Sequence, residues 1–356
     1  MPAEVSPPPV LAPVTLPPER RGPARALFVL AALLGLVVVG ASVASVLVPP
    51  AGPPRAPWLF PPDARPRVDV LRDRLAAGLL TLQRRDGLFT AQPDGAFSDD
   101  TLDDTEATGL AVAALSVARR MGSRVGGLEP GLARARDVLL ARQRPEGDFG
   151  QSAKPGRGAM VATMAAGVLA FRLDDDPRSV AAADRAGRRL VDVSSLGPLP
   201  GGWVQGVTVR ALWQLVEDDR TVLLGPDPLA IVPTRNIGTV RDAAEPRISE
   251  AFAQTLCRHL GAATSTPDEI LPKVLADPPA WESPRTDVEF WLLAGWLAAR
   301  TPGGEAWFPS ALTALEAAIG PDGTIPWEAY GSPVSKTATG LLILWEGSGL
   351  RPLPGP

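Results

Sequence analysis

Between residues 67 and 347, segments with one apolar face alternate with segments that are apolar nearly all round. In a segment of the first kind, apolar side chains recur at intervals of three and four residues, as one buried helix face requires: Val70, Leu71, Leu75, Leu79 and Leu82. The second kind includes ATGLAVAALSVARR, AMVATMAAGVLAF, VQGVTVRALWQL, VEFWLLAGWLAAR and KTATGLLILWEG. Because a helix that is apolar on every side must be buried on every side, the pattern predicts an all-α domain of about five or six helix pairs, with amphipathic helices outside and apolar ones inside.

The N-terminal region has a different pattern. Residues 26–48 form a stretch of 23 residues without a charge, long enough for a membrane-spanning helix. Arg20, Arg21 and Arg25 precede this stretch, whereas only Arg55 lies near its other end, so the positive-inside rule places the N-terminus in the cytoplasm. A cleaved signal peptide is the alternative, but its apolar core is usually only about 7 to 15 residues long.

These patterns divide the chain into five parts. Residues 1–25 are a Pro-rich cytoplasmic tail, 26–48 the transmembrane anchor and 49–66 a Pro-rich linker, since sixteen of the forty prolines fall within the first 66 residues. Residues 67–347 are the extracytoplasmic domain and 348–356 a short tail. The sequence therefore predicts a single-pass membrane protein whose main domain lies outside the cytoplasm, with the membrane as one partner.

Composition excludes several classes of protein. A net charge of −4 from 35 basic and 39 acidic residues provides no basic surface for nucleic acid. The single cysteine, Cys257, excludes an intramolecular disulfide and a multi-cysteine zinc site. The single histidine, His259, is separated from it by one residue, which on a helix places the two side chains on different faces. We therefore predict neither a metal nor a cofactor.

A repeated segment lies within the predicted domain. Residues 83–89 and 143–149 share the pattern Q-x-x-acid-G-x-F, and each is preceded nine residues earlier by an arginine, Arg74 or Arg134. Two weaker copies follow. One is formed by Arg188, Val193, Gly201 and Trp203, and the other by Leu315, Asp322, Gly323 and Trp327.

The pattern R-A-x-x-V-L-x-x-x-Q-x-x-x-G-x-F at residues 134–149 resembles the glutamine-tryptophan repeat of squalene and hopene cyclases. That resemblance implies an α/α toroid of the terpenoid cyclase and protein prenyltransferase superfamily, with Phe89 and Phe149 in place of the tryptophan. It also implies that Gln83 and Gln143 are framework residues whose amides bond to helix ends. The zinc of the prenyltransferase branch is not implied. In that branch the Asp, Cys and His ligands come from separate inner helices, whereas here Cys257 and His259 are separated by a single residue.

The same resemblance gives the acidic segment SDDTLDDTEATG, residues 98–109, a catalytic interpretation. Thr101 to Thr105 matches the D-x-D-D-T pattern of cyclases that protonate an isoprenoid in four of five places. Asp103 would be the acid and Asp104 its neighbour. The first position is Thr101 instead of aspartate, which removes a like charge that would help to keep the acid protonated.

Two other interpretations of this segment need no catalysis. Asp103, three residues before Glu106, fits a variant of the capping box at the start of an apolar helix, where acidic side chains are favoured by the helix dipole. Alternatively, acids within 19 residues supply oxygen ligands of the kind that calcium prefers: Asp86, Asp94, Asp99, Asp100, Asp103 and Asp104. The sequence leaves the three interpretations open.

Three further segments contain candidate polar groups. Residues 218–247 interrupt the helical pattern and carry Arg235 and Asn236, as an insertion lining a mouth would. Glu282, Asp287 and Glu289 lie near tryptophans, which suits a glycan-active barrel: Trp281, Trp291 and Trp296. Residues 174–176, three aspartates before a proline, predict an exposed turn into the next outer helix.

The sequence leads to one hypothesis and two alternatives. The first is a membrane-anchored, non-catalytic toroid that binds a hydrophobic or glycan ligand or acts as a scaffold. The second is an isoprenoid cyclase-like enzyme that uses Asp103 and Asp104 as its acid groups. The third is a glycan hydrolase or lyase with paired carboxylates. Whether the protein is an enzyme stays open at this stage.

Overall fold

The computed structural model describes residues 56–90, 104–149, 157–194, 288–326 and 332–350, with a few helical residues at 207–208, 210–212, 214, 272 and 274–275. The chain divides into two units, Met1–Pro54 and Arg55–Pro356, and every described residue belongs to the second. The predicted anchor at 26–48 lies outside the described residues. Among the described helices, none combines the length and the apolar character that crossing a membrane requires.

The described part of the second unit is helical, as predicted. Its eight α-helices are α1 (Arg65–Thr81), α2 (Asp104–Arg120), α3 (Leu128–Arg142), α4 (Arg157–Leu173), α5 (Pro177–Ser194), α6 (Val288–Ala298), α7 (Trp307–Ala318) and α8 (Pro333–Gly347). Short 3-10 turns at Pro62–Ala64 and Gly304–Ala306 precede α1 and α7. Extended pairing in this part of the chain is limited to two isolated bridges, Gln83 with Phe89 and Gln143 with Phe149.

Outer and inner helices alternate along the chain. The inner helix α2 is buried on all sides from Thr105 to Ala118, and the inner helix α8 is buried from Val334 to Gly347. Helix α2 packs against both α4 and α8, and α8 also packs against α6. The outer helices bury only one face, which confirms the predicted alternation of amphipathic and apolar helices.

The buried face of α1 differs from the predicted one at a single position. Val68, Leu71, Leu75 and Leu79 are buried, whereas Val70 is 59% exposed. Val70 cannot share the face of Leu71, because adjacent residues on a helix are turned about 100° from each other. Val68, three residues before Leu71, takes the place that we assigned to Val70.

Part of the predicted linker packs onto the end of α8. The Leu59 N–H donates to the carbonyl of Gly347 over 2.9 Å. The Phe60 ring is buried and lies edge-on to Phe308, with ring centroids 5.3 Å apart. Residues 56–64 therefore contribute to the same core as the helices, and the folded body begins before residue 67.

The repeated segments join each outer helix to the next one. The Gln83 amide donates to the carbonyls of Gly131 in α3 (2.8 Å) and of Gly87 in its own loop (3.1 Å). Its oxygen accepts from Arg134 Nη2 at 2.8 Å. The prediction of a framework role is confirmed, but the acceptor on the neighbouring helix lies within the helix and not among the unpaired groups at its end.

The second copy repeats these contacts one helix pair later. Gln143 donates to the carbonyl of Ala182 in α5 over 2.8 Å and accepts from Arg185 Nη2 over 2.8 Å. Arg185 thus occupies the position that we assigned to Arg188, which is exposed three residues further along the helix. Gly201 and Trp203 of that weaker copy lie outside the described residues.

The last copy packs on the first outer helix. Arg74 Nη2 in α1 donates to the carbonyl of Gly320 over 3.0 Å, and Gly323 lies directly against the carbonyl of Arg74. Ile325 takes the position of Phe89, since its N–H donates to Thr337 Oγ1 as that of Phe89 donates to Thr108 Oγ1. Trp327, which we assigned to this position, lies outside the described residues.

Candidate functional site

The candidate site begins at the first turn of α2, where the acidic segment enters the described structure. Asp103 lies outside the described residues, so both its capping and its catalytic roles stay predictions. Asp104 opens α2, and its Oδ2 accepts a hydrogen bond from Arg84 Nη1 at 3.0 Å. Arg84 also binds Asp86 Oδ2 at 2.7 Å, so one guanidinium serves two carboxylates.

The backbone of Asp104 is tied to the first repeat loop through a threonine. Thr108 Oγ1 donates to the carbonyl of Asp104 over 2.6 Å and accepts from the N–H of Phe89 over 2.9 Å. Together with the ion pair to Arg84, these bonds fix the first turn of α2 against the loop that follows α1. These contacts connect Asp104 at the start of α2 to the loop that follows α1.

The next two residues of α2 are more deeply buried. Thr105 is 1% exposed, and its Oγ1 accepts from Arg142 Nη1 at the end of α3, over 2.7 Å. Glu106 is only 3% exposed. The sequence interpretation named Glu106 only as a partner of Asp103 in a cap, and the helical period gives no sign that this carboxyl group is enclosed.

Comparison between copies shows that the acids are particular to α2. Thr163 in α4 donates to the carbonyl of Ala159, as Thr108 donates to that of Asp104. The positions of Asp104, Thr105 and Glu106 therefore correspond in α4 to residues 159–161, which read Ala-Met-Val. Since α4 forms the same turn without acids, the fold does not require the side chains of Asp104, Thr105 and Glu106. Their polar contacts are therefore particular to the start of α2.

The described residues give no support to a calcium site. Asp86 and Asp104 both bind Arg84, and the other proposed ligands lie outside the described residues: Asp94, Asp99, Asp100 and Asp103. In the described ranges, no group of three or more His, Cys, Asp or Glu side chains is arranged to hold a metal ion. Cys257 and His259 lie outside these ranges.

The other candidate groups from the sequence are mostly outside the described residues as well. This applies to Arg235 and Asn236 of the insertion, and to Trp281, Glu282 and Asp287. Trp291 and Trp296, which we considered as sugar-stacking rings, are each 1% exposed. Two tryptophans buried this deeply are core residues of α6, so they present no stacking surface.

The triple aspartate at 174–176 is not the simple exposed turn that we predicted. Asp174 is 4% exposed and accepts from Arg119 (3.2 Å), Arg136 (3.2 Å) and the Ser179 hydroxyl (2.8 Å). These donors come from α2, α3 and α5. The prediction was wrong for Asp174 because partners 55 and 38 residues away in sequence surround it.

Another buried carboxylate, Glu346 near the end of α8, was missed by the sequence interpretation. Its Oε1 accepts from Arg210 Nη2 at 3.0 Å and its Oε2 from Arg300 Nη1 at 2.8 Å. Arg300 also lies over the Trp296 ring, with its guanidinium carbon 4.5 Å from the ring centroid. Residue spacing alone gives no signal for such a cluster, since its members are far apart along the chain.

No protein-family model matches the chain, and no curated protein matches it. Similar solved structures include an inactive variant of α-1,6-mannanase GH76A from Salegentibacter sp. HEL1_6 in complex with α-1,6-mannotriose. The sequences are 12% identical, the match covers 80% of this chain and 100% of that one, and the TM-score is 0.48.

Another similar structure is a type II terpene cyclase from Scytonema in complex with its substrate, geranylgeranyl dihydroxybenzoate. Its sequence is 15% identical, the match covers 80% of this chain and 98% of that one, and the TM-score is 0.47. Both of these neighbours are α/α toroids. With TM-scores under 0.5, neither similarity carries an argument about what this chain binds or does.

Proposed function

We propose that the helical body is an α/α toroid of about five or six helix pairs that acts as a non-catalytic ligand-binding or scaffold domain. We further propose that residues 26–48 hold it at a membrane as a single-pass anchor, with the N-terminus in the cytoplasm. The observation that carries the non-catalytic role is the burial of the inner helices. From Thr105 to Ala118, every residue of α2 is buried, whichever way it points.

The burial of the inner helix α2 argues against a cavity for an isoprenoid substrate beside it. A cyclase needs an apolar cavity large enough for its substrate, and the inner helices would have to line it. Ala111, Val112, Ala113 and Ala114 cover a full turn of α2, and each is 0% exposed. A turn that is closed on every side does not border such a cavity, so a ligand would bind at the ends of the helices or on the surface.

The contacts of Asp104 also favour a non-catalytic role. Its carboxylate accepts a hydrogen bond from Arg84 in the first repeat loop. The same guanidinium binds Asp86 in the preceding loop. Asp104 thus joins a loop to a helix, and this function needs no substrate.

A turnover experiment tests the non-catalytic role. The purified full-length protein would be incubated separately with geranylgeranyl dihydroxybenzoate and with α-1,6-mannotriose, and the products followed by chromatography with mass detection. We expect no product from either compound. Turnover that Asp103→Asn abolishes, while the melting temperature stays within about one degree, would establish the acid-catalyst alternative instead.

The anchor requires its own experiment. Full-length protein and a variant lacking residues 26–48 would be compared by flotation with liposomes. We expect only the full-length protein to float, because the deleted segment carries the long uncharged stretch. Flotation of the deletion variant would show that the rest of the chain binds lipid by itself and would remove the case for the anchor.

A further inference from the structure

The helical body has two ends that carry different groups. At one end, which we call the loop end, the repeat loops lie and the inner helices begin, as the contact of Asp104 with Arg84 shows. At the other end, which we call the entry end, the inner helices finish. Arg119 in the last turn of α2 donates to Asp174, directly after α4, over 3.2 Å, so these two inner helices end together.

The first described residues of the chain pack onto the body at the entry end. Ala56 is 6% exposed, and its carbonyl oxygen lies 2.7 Å from the position that a Cβ added to Gly349 would take, two residues after α8. Three residues later, the Leu59 N–H donates to the carbonyl of Gly347 at the end of α8. From Ala56 onwards, the chain is therefore fixed beside the end of an inner helix.

The predicted anchor ends only a short distance before this point. Residues 49–55 separate it from Ala56, and seven residues span at most about 25 Å even when fully extended. The headgroup layer takes up about 5 to 7 Å of that length, which leaves about 20 Å outside the membrane. The body is longer than this, because α1 alone has 17 residues and is about 25 Å long. The chain is thus too short to pass along the body to a membrane at the loop end.

The exposed surface of the entry end suits contact with lipid headgroups. Trp58 is only partly buried there, and the guanidinium carbon of Arg65 lies 4.7 Å from its ring centroid. Tryptophan is enriched where proteins meet the headgroup region of a bilayer. Exposed charges of both signs lie at the same end, and such a mixture is not repelled by neutral headgroups: Asp63, Arg65, Arg124, Glu129, Arg178 and Glu305.

We infer that residues 49–55 hold the entry end of the helical body against the headgroups of the membrane, so that the loop end faces the solution. The inference rests on the proposed anchor and adds an orientation to it. The first turn of α2, with the buried carboxyl group of Glu106, then lies on the side away from the lipid. A ligand that binds at the loop end comes from the aqueous phase and not from the bilayer.

Two glutamates at opposite ends of α3 provide a matched pair of labelling positions. Glu129 lies in the first turn of α3 and Glu146 in the loop after it, and both side chains are exposed. The two positions are about 20 Å apart along the helix axis. Replacement of either glutamate removes one negative charge, and neither belongs to the segment that attaches the body to the anchor.

Energy transfer to lipid measures the distance of each position from the bilayer. Full-length protein with Cys257→Ser and either Glu129→Cys or Glu146→Cys would carry a donor dye, in phosphatidylcholine liposomes with acceptor-labelled lipid in both leaflets. We expect transfer to be at least about twofold higher from position 129, because it lies about 20 Å closer to the lipid. Equal transfer from both positions, or higher transfer from position 146, would overturn the inference.

A longer connection tests whether residues 49–55 set the orientation. An insertion of about twenty Gly and Ser residues after Pro54 lets the body turn, since such segments behave as flexible coils. The difference in transfer between the two positions should then fall by about half or more. An unchanged difference would mean that the entry end binds lipid by itself and would overturn the role of residues 49–55.

Two controls separate this inference from the proposed anchor and from an interface between copies. If the labelled protein does not float with the liposomes, the anchor fails and the orientation fails with it. If it floats and both positions give equal transfer, the anchor stands and only the orientation is overturned. Transfer in detergent between donor and acceptor on separate copies of the Glu129→Cys protein would show that a second copy covers the entry end, and it would overturn the inference as well.

Discussion

Three repeat loops each pack on the next outer helix, and we call these contacts joints. The first two joints and the last one are formed by different residues. In all three, a glycine with positive φ lies against the next outer helix: Gly87, Gly147 and Gly323. The first two joints add a glutamine that bonds to that helix, whereas the last has Ile319 at the corresponding position. The close approach of the glycine is thus shared by every described joint, and the glutamine is an addition to it.

The arginine of the receiving helix adapts to this difference. Arg134 and Arg185 donate to the glutamine oxygen of the loop that packs on them. Arg74, which faces a loop without glutamine, donates to the backbone carbonyl of Gly320. A flexible side chain with several donors can serve either acceptor, so loss of the glutamine does not leave the last joint without a polar contact.

The largest effect is expected from alanine at the joint glycines. In Gly147→Ala, the new Cβ would lie 2.2 Å from the carbonyl oxygen of Arg185, and in Gly323→Ala it would lie 2.3 Å from that of Arg74. Both contacts are with backbone, and both positions have positive φ, so we expect each change to destabilise by about 3 kcal/mol or more. Urea denaturation followed by circular dichroism would measure the loss.

Two glycines provide graded controls for this prediction. Gly122 has a φ of +83°, and no atom of the described residues lies within 4 Å of the position that an added Cβ would take. Gly122→Ala should therefore show backbone strain alone, about 1 kcal/mol. Gly87→Ala, with its Cβ 3.0 Å from the carbonyl of Arg134, should fall between the two. Equal losses at positions 122 and 147 would mean that strain, and not the approach of the next helix, sets the cost.

A smaller effect is expected from removal of a glutamine. Gln143→Ala removes the bond to the carbonyl of Ala182 and leaves Arg185 without its acceptor, so we expect a loss of about 1 to 2 kcal/mol. The matched change in the last joint, Ile319→Ala, removes only apolar contact. If Gln143→Ala cost as much as Gly147→Ala in urea denaturation, the glutamine would be an equal partner of the glycine.

The next effect tests which arginine belongs to the second joint. Arg185→Ala should cost about 0.5 to 1 kcal/mol, because an exposed side-chain hydrogen bond is lost. Arg188→Ala should cost close to nothing, since that side chain is exposed on another part of α5. Urea denaturation of the two variants would decide between them, and a larger loss at position 188 would restore the register assigned from the sequence.

The assignment of Arg188 to the third copy shows which contacts the sequence predicts and which it does not. The glutamine, glycine and phenylalanine of the first two copies are close together in sequence, so their pattern identified the joints and their framework role. In the third copy, Arg185 contacts Gln143, which lies 42 residues earlier in the chain. Spacing to Gly201 and Trp203 selected Arg188 instead, because it carries no information on how α5 is placed against the preceding loop. Apolar periodicity similarly predicted the inner and outer helices but misplaced Val70.

The candidate site was less predictable for the same physical reason. The acidic composition of residues 98–109 marked the start of α2, but the ion pair of Asp104 with Arg84 depends on a loop 20 residues earlier. The enclosed carboxylates of Asp174 and Glu346 gave no signal, because burial of a polar side chain is decided by neighbouring helices.

The smallest effect is expected when the pH is lowered. It distinguishes the joints at the repeat loops from the turn at residues 174–176, which lies at the opposite ends of the helices. The glutamine joints contain amides, which do not titrate, whereas the turn at 174–176 is held by carboxylates. The hydrogen bond from the Arg178 side chain, together with the charge of Arg136, lowers the pKa of Asp176 to about 2. An unfolded aspartate has a pKa of about 3.9, so the folded state binds fewer protons between these values.

The sign of the effect follows from that difference. Asp176 contributes its full stabilisation above about pH 4, and the contribution is lost as the pH falls towards about 2. Because much of this ion pair is solvent-exposed, we expect only a shallow fall in melting temperature that is specific to Asp176. Asp176→Asn should melt lower than the parent at pH 6 and approach it at pH 2, whereas Gln143→Ala should keep a constant difference. A difference for Asp176→Asn that does not change with pH would mean that the turn is held by its backbone and not by the charge of this carboxylate.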